Sequence, residues 1–508
     1  MSDSTVTTSE QESKVLADVP LGHLIGGEWR TDGTNGSIPV EDPATGETLA
    51  ELPDAGVADA IAALDAACDA QESWAATPPR ERGEILRRAF ELVVARREEF
   101  ALLITMEMGK PLAEARAEVD YGAEFLRWYS EEAVRVAGKY TDHYAGVGRV
   151  LTRKQPVGPC ILITPWNFPL AMPARKAAPA LAAGCTTVVK PAEQTPLTTL
   201  LFAQLMREAG LPDGVLNVIT TLSPGEVVGA LIDDGRARKL SFTGSTAVGK
   251  RLLAQCADRV MRTSMELGGN APVIVFDDAD LERAVEGAMI AKLRNGGESC
   301  TAGNRFYVHE GVAEEFVEAF SARMESARMG RGTDEGVELG PVIDERAIDK
   351  LQGLVDDARS RGARVLTGGS RRDGAGYFYL PTVLDRIPSE ARILGEEIFG
   401  PVAPIVTFSG EDEVVRAAGA TEYGLAAFVF TQDLDRALRM VDRLDTGMVG
   451  INQGIVSNAG APFGGIKESG LGKEGGPEGI EEFLISKYVA IASPPAPPAM
   501  HLERRGSG

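Results

Sequence analysis

The spacing of apolar residues in the first third of the chain is typical of amphipathic helices. Over residues 59–74 and again over 80–134, apolar side chains recur at intervals of three and four, with Glu and Arg between them. This spacing collects the apolar side chains on one face of a helix, where they can pack against a core. The sequence therefore predicts a helical opening section.

From residue 160 onward, short apolar runs alternate with helical patterns. The runs CILIT, TTVVK, VLNVIT and KLSFTG read as strands, and helical spacing covers residues 173–183 and 196–209 between them. Such alternation predicts a parallel sheet with crossover helices on its faces. Residues 160 to about 270 are thus predicted to form a doubly wound, Rossmann-type domain that binds ligands at the carboxyl ends of its strands.

A second α/β run follows. It begins with the strand PVIVF, continues through helical patterns over 281–293, 313–327 and 347–361, and reaches the strands AAFVF and GMVGIN. A chain of 53.9 kDa is too long for one ordinary core, so more than one domain is expected. We predict a second α/β domain, with the boundary near residue 270.

The two ends of the chain differ from the middle. Residues 1–20 are polar and acidic, residues 493–508 are rich in proline, and both are predicted to be disordered tails. The first residues lack the basic and apolar regions of a secretory signal, and no window resembles a membrane span. We expect a cytoplasmic protein that does not enter a membrane.

Charge and cysteine content narrow the function further. The net charge of −22 disfavours contact with phosphate backbones, so nucleic acid is not the expected partner. The five cysteines show no CxxC or paired spacing, which argues against a disulfide framework and against a zinc site. We read Cys68, Cys185 and Cys256, and provisionally Cys160, as small core residues.

Cys300 differs from the other cysteines in its surroundings. It lies in NGGESCTAGNR, behind two glycines and among small polar residues, where no apolar pattern surrounds it. A nucleophilic thiolate needs local donors or positive charge together with access to substrate, and a loop of small residues can supply both. Cys300 is therefore the candidate nucleophile.

Several polar residues follow the predicted strands, where an open sheet meets its ligands. They are Asn167 in PWNFP, Lys190 and Glu193 in VVKPAEQTP, and the glycine pair of FTGSTAVGK, which precedes a helix. Backbone N–H groups at that helix start could hold a phosphate, although such glycines also serve in ordinary turns. Glu266, in MELGGNAP, has an apolar setting in which burial could raise its pKa and suit it to act as a base; a surface carboxylate is the alternative.

The motifs PWNFP, VVKPAE, FTGS, MELGGN, the Cys300 loop, EEIFGP and PFGGIKESGLGKEGG occur in this order, and the chain from about Leu21 to Ala492 resembles the aldehyde dehydrogenase superfamily. The resemblance implies an α/β fold in three parts and a homodimer or homotetramer. The parts are a coenzyme-binding domain (21–145 and 160–268), a catalytic domain (269–470) and a small β oligomerisation extension (146–159 and 471–492).

The same resemblance assigns roles to residues. Cys300 matches the nucleophile, Glu266 the general base and Asn167 the side-chain donor to the oxyanion. It further implies NAD, with NADP possible, bound by Thr164, Pro165, Trp166, Asn167, Lys190, Ala192, Glu193, Gly225, Phe242, Gly244, Ser245, Leu267, Gly268, Glu397 and Phe399. Glu193 favours NAD, because a carboxylate there would repel a 2′-phosphate, whereas Lys190 leaves dual use open.

The substrate expectation depends on three residues. The succinate-semialdehyde dehydrogenase branch has residues matching Arg175, Arg294 and Ser457, which together hold the distal carboxylate of the aldehyde. Glutarate semialdehyde and a broad aldehyde range are the alternatives. A non-catalytic member of the fold and a cysteine-dependent thioesterase are further alternatives, but Cys300, Glu266 and Asn167 are all present.

One residue departs from the pattern of many relatives. Glu298 stands two residues before the nucleophile, where they carry Gln, and a carboxylate pointing inward would raise the pKa of the thiol. Thr301 and Ala302 follow Cys300, so the disulfide that some relatives form with a second cysteine there is not expected.

Overall fold

The computed structural model of the chain describes residues 9–492. The helices, numbered in chain order, are α1 (Ser9–Ala17), α2 (Val57–Ala76), α3 (Pro79–Ala95), α4 (Arg97–Met108), α5 (Leu112–Glu132), α6 (Ala171–Ala183), α7 (Leu197–Glu208), α8 (Pro224–Asp234), α9 (Thr246–Ala257), α10 (Leu281–Leu293), α11 (Ala313–Ser326), α12 (Glu345–Ser360), α13 (Arg392–Gly395), α14 (Glu411–Gly419), α15 (Leu434–Arg443) and α16 (Gly476–Glu481).

The strands are β1 (His23–Ile25), β2 (Glu28–Arg30), β3 (Ser37–Asp42), β4 (Glu47–Pro53), β5 (Lys139–Asp142), β6 (Gly148–Pro156), β7 (Cys160–Ile163), β8 (Thr187–Lys190), β9 (Leu216–Val218), β10 (Lys239–Thr243), β11 (Arg262–Glu266), β12 (Ala271–Val275), β13 (Gly303–His309), β14 (Arg364–Thr367), β15 (Thr382–Asp385), β16 (Val402–Phe408), β17 (Ala426–Phe430), β18 (Met448–Ile451), β19 (Gly470–Leu471) and β20 (Leu484–Ala492). Both predicted α/β runs are present, and the predicted α/β fold class is confirmed.

The first sheet has the order β19-β11-β10-β7-β8-β9-β1-β2. Its five central strands are parallel, and antiparallel strands close both edges. Because the central strands are parallel, Ile163, Lys190, Thr243 and Glu266 end on the same side of the sheet. The polar residues that were predicted to follow these strands therefore share one edge.

Helix α6 fills the space beneath this sheet. Every residue from Ala171 to Ala183 is buried, and the Ala-rich sequence lets the helix pack closely against α5. Two charged residues in α6, Arg175 and Lys176, are consequently buried as well. Buried charges need partners, and both have one in Glu474.

The second sheet has the order β14-β15-β16-β13-β12-β17-β18, parallel except for β14. The chain passes from the first sheet to the second between Glu266 and Ala271. Cys300 precedes β13 in this sheet, whereas Glu266 ends a strand of the first. The space between the two sheets is therefore where the predicted nucleophile and base can meet.

A small antiparallel sheet, β20-β6-β5, projects from the α/β core. Strand β20 pairs with β6 along its whole length, from Leu484 against Pro156 to Ala492 against Gly148. Residues 139–142, predicted in the coenzyme-binding part, form β5 and pair with β6, and Leu471, predicted in the extension, pairs with Met265 of the first sheet.

The predicted N-terminal tail also needs correction. Residues 9–17 form helix α1, in which Val15 is buried, and Arg331 pairs with Glu12. This polar segment is ordered by contacts with distant parts of the chain, which a local pattern does not reveal. Residues 1–8 and 493–508, the remainder of the predicted tails, lie outside the described residues.

Candidate active site

The loop that carries Cys300 begins where helix α10 ends. Three successive residues, Asn295, Gly296 and Gly297, have positive φ values of 58°, 63° and 78°. A Cβ atom on Gly297 would lie 2.3 Å from the carbonyl oxygen of Gly400, so glycine is required there. The tight left-handed turn brings Cys300 to the edge of the second sheet, facing the first.

Glycine also permits close approach on the opposite side of the loop. A Cβ atom on Gly269 would lie 2.1 Å from the carbonyl oxygen of Cys300. The two glycines of MELGGN thus let the segment after Glu266 pass directly beside the nucleophile loop. This close packing gives a physical reason for the glycines of MELGGN, and the sequence alone could not supply that reason.

Cys300 is half-buried and lines a cavity. Burial raises the pKa of its thiol to about 12, and the positive charge of Arg175 partly offsets that rise. The carboxyls of Glu397 and Glu266 act in the other direction and raise this pKa. Burial therefore favours the neutral thiol over the thiolate in this setting.

Glu266 ends strand β11, beside Gly470 of β19, and only 2% of its surface is exposed. Neither carboxyl oxygen accepts a hydrogen bond from any residue between 9 and 492. Burial raises the pKa of Glu266 well above its usual value, and the neighbouring Glu474 adds to the rise, whereas Arg175 and Lys176 oppose it. The apolar setting expected from the sequence is present.

Asn167 connects the two loops of the site. Its side-chain Nδ2 donates to the carbonyl oxygen of Glu298 at 2.9 Å, next to Ser299 and Cys300. The backbone carbonyl oxygen of Asn167 accepts from Lys110 Nζ at 2.8 Å and from Asn295 Nδ2 at 3.1 Å. The side-chain amide of Asn167 is thus fixed close to the nucleophile.

One cavity of about 320 Å³ unites most of the predicted site. Its walls include Cys300 and Asn167 together with all three predicted substrate residues, Arg175, Arg294 and Ser457. Of the predicted coenzyme residues it also includes Pro165, Trp166, Gly244, Ser245, Leu267, Gly268, Glu397 and Phe399. The predicted base Glu266 lies outside the lining, as do the remaining predicted coenzyme residues: Thr164, Lys190, Ala192, Glu193, Gly225 and Phe242.

The coenzyme half of the cavity is built from helix α9 and an aromatic pair. Ser245 caps α9, its hydroxyl accepting from Val248 N at 3.5 Å, so the N-terminus of the helix opens into the cavity. The rings of Trp166 and Phe399 lie edge to face, with centroids 5.4 Å apart. Glu397 accepts from Gly269 N at 2.9 Å, which links this half to the nucleophile loop.

Lys190 and Glu193 pair with each other, Nζ to Oε2, at 3.1 Å. Burial alone would raise the pKa of Glu193, but Lys190, a backbone N–H and Arg346 together hold that pKa below its usual value. Arg346 belongs to α12, far away in sequence. Two cations, rather than Lys190 alone, therefore face this carboxylate.

The two candidate substrate arginines have different surroundings. Arg175 lies 2.5 Å from Glu474, Nε to Oε2, and stacks on Phe463 at 4.3 Å. Arg294 forms no ion pair with any of the residues described, and its guanidinium lies 5.3 Å from the Phe168 ring. Arg294 is thus a cation of this cavity without an ion-pair partner among residues 9–492, as is Lys350, and the charge of Arg294 acts on the nearby Glu114 carboxyl.

Glu298 does not face the thiol. Its side chain is fully buried, and Oε1 accepts a hydrogen bond from Ile343 N at 3.1 Å. Burial raises the pKa of this carboxyl well above its usual value. The side chain instead links the nucleophile loop to the segment before α12.

Sequence patterns missed part of the site. The start of α12 lines the cavity with Asp344, Arg346 and Lys350, although nothing in a helical pattern indicates which end of a helix faces a ligand. Lys176 and Glu474 form a buried pair beside Arg175 and Glu266. Lys176 could have been found from its place in an otherwise Ala-rich helix, because a lysine buried in such a helix requires a partner.

Among residues 9–492, no helix is long and apolar enough to cross a membrane. His, Cys, Asp and Glu side chains in this part of the chain do not gather in threes as a metal site would require.

Comparison with known proteins agrees with this geometry. The profile of the Aldehyde dehydrogenase family matches residues 29–489, and the chain belongs to that family. A succinate-semialdehyde dehydrogenase from Paenarthrobacter nicotinovorans is 60% identical over 446 residues, 88% of this chain and 99% of the relative. A glutarate-semialdehyde dehydrogenase from Pseudomonas putida is 48% identical over 469 residues, 92% of this chain and 97% of the relative.

Among solved structures, an NADP dependent enzyme from Escherichia coli superposes with a TM-score of 0.92 at 46% identity, covering 96% of this chain and 100% of that one. The predicted family and enzyme class are confirmed: the protein is an oxidoreductase of the aldehyde dehydrogenase family.

Proposed function

We propose that the protein oxidises succinate semialdehyde to succinate with NAD or NADP. The observation that carries this proposal is the single cavity that holds Cys300, Asn167 and the unpaired cation Arg294. A neutral aldehyde gives no reason to keep an unpaired guanidinium in the cavity, whereas a distal carboxylate does. The names of the two relatives above, which act on four- and five-carbon semialdehydes, support the same substrate class.

The proposed chemistry starts when the Cys300 thiol loses its proton to water and the thiolate sulfur attacks the aldehyde carbon. The alkoxide that forms is held by the Asn167 amide and the backbone N–H of Cys300, and such a donor is worth about 3 to 4 kcal/mol of barrier. When bound, the coenzyme would supply the acceptor for the hydride that leaves the aldehyde carbon, so that a thioester remains on Cys300. Glu266 then takes a proton from water, whose oxygen attacks the Cys300 thioester and releases the carboxylate product.

Glu266 suits this base role because of what surrounds it. Its two carboxyl oxygens are free of protein donors, so a water molecule can bind them without displacing a structural hydrogen bond. The raised pKa makes the carboxylate a stronger base than an exposed glutamate. Deacylation should therefore depend on this side chain more than acylation does.

The cavity also fits a dinucleotide. The N-terminus of α9 offers backbone N–H groups for a pyrophosphate, and the hydroxyls of Thr164 and Thr243 are buried without a partner among the described residues. We propose NAD as the preferred coenzyme because of Glu193, with NADP accepted because Lys190 and Arg346 face the same position. Replacing Glu193 by Gln should then shift kcat/KM towards NADP.

We further propose a homodimer or homotetramer in the cytoplasm. The sheet β20-β6-β5 exposes Tyr140 (65%) and Tyr488 (61%), and such exposed aromatic side chains suit a protein interface. Light scattering of the purified full-length chain measures the assembly directly, and a monomer would contradict the proposal.

The substrate is tested by kcat/KM for succinate semialdehyde against glutarate semialdehyde and butanal, with both coenzymes. Arg294→Ala should lower the value for succinate semialdehyde by roughly 10- to 150-fold and leave butanal unchanged, because a charge-assisted contact contributes about 1.5 to 3 kcal/mol. Arg323→Ala is the matched control, since Arg323 lines a neighbouring groove outside the cavity. Glutarate semialdehyde should be the nearest competitor, because one methylene discriminates by only about 1 to 3 kcal/mol.

Two outcomes would overturn the carboxylate assignment. One is a wild-type enzyme that uses butanal as efficiently as the semialdehyde. The other is an Arg294→Ala enzyme that keeps the wild-type preference. Either result would leave an aldehyde dehydrogenase of broad specificity.

A further inference from the structure

Lys110 is a buried lysine outside the cavity lining, and its contacts converge on the candidate oxyanion donor. It follows Gly109, which ends helix α4 with a φ of 92°. Its side chain is 1% exposed, and Nζ lies 2.6 Å from Glu118 Oε2 and 2.8 Å from the carbonyl oxygen of Asn167. The ammonium group also lies 4.2 Å from the centre of the Phe168 ring.

The partners of Lys110 are themselves fixed. The second oxygen of Glu118 accepts from the backbone N–H groups of Leu170 and Ala171, at 2.9 and 3.2 Å. Lys110 and Glu118 therefore hold PWNFP from both sides, one at the Asn167 carbonyl and the other at the residues leading into α6. The segment cannot shift without breaking a buried charged contact.

The same group of contacts reaches the nucleophile loop through Asn295. Asn295 Nδ2 donates to the Asn167 carbonyl oxygen at 3.1 Å and to the Glu298 carbonyl oxygen at 3.0 Å. Asn167 Nδ2 donates to that same Glu298 carbonyl at 2.9 Å. The backbone N–H of Asn295 is held in turn by Glu114 Oε2 at 2.7 Å. Asn167 and the Cys300 loop are thus locked to each other, and Lys110 is the charged donor of this group.

We propose that Lys110 is a positioning residue that acts through Asn167, holding its amide where the alkoxide on Cys300 forms. The inference rests on the proposed role of Asn167 as the oxyanion donor. Catalytic donors must be placed to a fraction of an ångström, and misplacement by about 1 Å can cost on the order of 100-fold in rate. Lys110 touches neither substrate nor coenzyme, so its effect should appear only through Asn167.

The test is a kinetic double-mutant cycle on the full-length enzyme, read as the burst of reduced coenzyme with succinate semialdehyde. Lys110→Met leaves Glu118 as an unpaired buried charge and could fail to fold. The paired variant Lys110→Met with Glu118→Gln removes both charges of the buried pair and keeps a side-chain oxygen that can accept from Leu170 and Ala171. Thiol titration of Cys300 counts the folded active sites in each preparation.

We expect the paired variant and Asn167→Ala each to slow the burst on the order of 100-fold. The triple variant should be no slower than Asn167→Ala alone, because Lys110 has no effect once the amide is absent. Lys239→Met is the control. Lys239 is an equally buried lysine, paired with Glu482 at 3.2 Å outside the cavity, so its loss should lower the melting temperature without slowing the burst.

Two results would overturn the inference while the proposed function stands. One is a paired variant with the wild-type burst, and the other is a triple variant slower than Asn167→Ala by the full factor of the paired variant. A wild-type burst from Asn167→Ala would instead refute the oxyanion role itself. The three results are distinguishable in one set of measurements.

Discussion

Two glutamates, Glu118 and Glu266, are equally buried, at 2% exposure, yet their surroundings are opposite. Glu118 accepts hydrogen bonds from Lys110 and from the backbone of Leu170 and Ala171. Glu266 accepts none from the described part of the chain, and Glu474 adds a like charge nearby. Burial by itself therefore does not decide what a carboxyl does; the donors around it do.

The different surroundings suit the two glutamates to different tasks. One holds the chain in position, and the other can take part in the reaction. A carboxylate with a full set of donors is stable as an ion and anchors the chain around it. A carboxyl without donors binds a proton more tightly and has free lone pairs for water. Glu118 and its donors keep PWNFP in place, whereas the Glu266 carboxyl, which has no donors among the described residues, is left able to react.

The largest effect should come from Cys300→Ala. This variant should lose aldehyde oxidation completely, because no other cysteine lines the cavity. Coenzyme binding should persist, since the substitution leaves Glu118, Glu266 and their surroundings unchanged. Coenzyme titration by fluorescence and steady-state assays test this, and residual turnover would mean that Cys300 is not the nucleophile.

Glu266→Gln should separate the two halves of the reaction. The burst of reduced coenzyme should remain, whereas hydrolysis should slow by about 10² to 10⁴, the usual contribution of a general base. An acyl-enzyme should accumulate and be visible by mass spectrometry. The melting temperature should change little, because no protein hydrogen bond to this carboxyl is lost. Full turnover would sink the base assignment.

Glu118→Gln should lower the stability of the protein, which Glu266→Gln is expected to leave nearly unchanged. The substitution leaves Lys110 buried without its counter-charge, and breaking a buried pair typically costs about 3 to 5 kcal/mol. We expect a clear loss of stability in urea denaturation. If Glu118→Gln were as stable as Glu266→Gln, the contrast between the two glutamates would be wrong.

The pH dependence of Cys300 alkylation tests the effect of burial on its thiol. With the pKa of Cys300 raised to about 12, the thiolate fraction should rise tenfold with each pH unit between 7 and 10. Alkylation of Cys300 by iodoacetamide, followed by peptide mass spectrometry, should rise in step without a plateau. Arg175→Met should slow alkylation at each pH, because the arginine charge lowers this pKa by favouring the thiolate. A plateau near pH 8 would contradict the burial effect.

The smallest effect concerns Lys292, a buried lysine that donates only to the Val402 carbonyl oxygen, at 2.9 Å. Burial lowers its pKa from 10.5 to about 7. Between these values the unfolded chain binds more protons than the folded one, so stability should rise with pH, by about 1 kcal/mol per unit. Lys292→Met should remove this rise between pH 7.5 and 9.5 in urea denaturation. An unchanged slope would mean that the folded lysine keeps its usual pKa.

Local patterns predicted the elements well because each pattern needs only neighbouring residues. Apolar spacing located α2 to α5 and the alternating strands, and the edge position of Asn167, Lys190 and Glu266 followed from the end of each strand. The resemblance named the family, which the comparison confirmed. The roles of individual site residues, the three-part division and the assembly remain predictions.

What failed, or could not be predicted, depends on contacts between distant segments. Helix α1 is ordered through Arg331, and β5 joins β6 across a turn with no strong hairpin signal. The start of α12 faces the coenzyme half of the cavity only because the two sheets meet there. Glu298 looked like a neighbour of the thiol along the chain, yet it points to Ile343.

The sequence by itself determined the α/β class, the alternation of strands and helices after residue 160, and which side chains could do chemistry, because periodicity and residue type are local properties. Only the tertiary structure decided how those side chains behave. Within residues 9–492, Arg175 is paired whereas Arg294 forms no ion pair, and Glu118 has several donors whereas Glu266 has none, because folding brings different, separate segments of the chain to each of them. Burial and hydrogen bonding set charge states, and both exist only once the chain has folded.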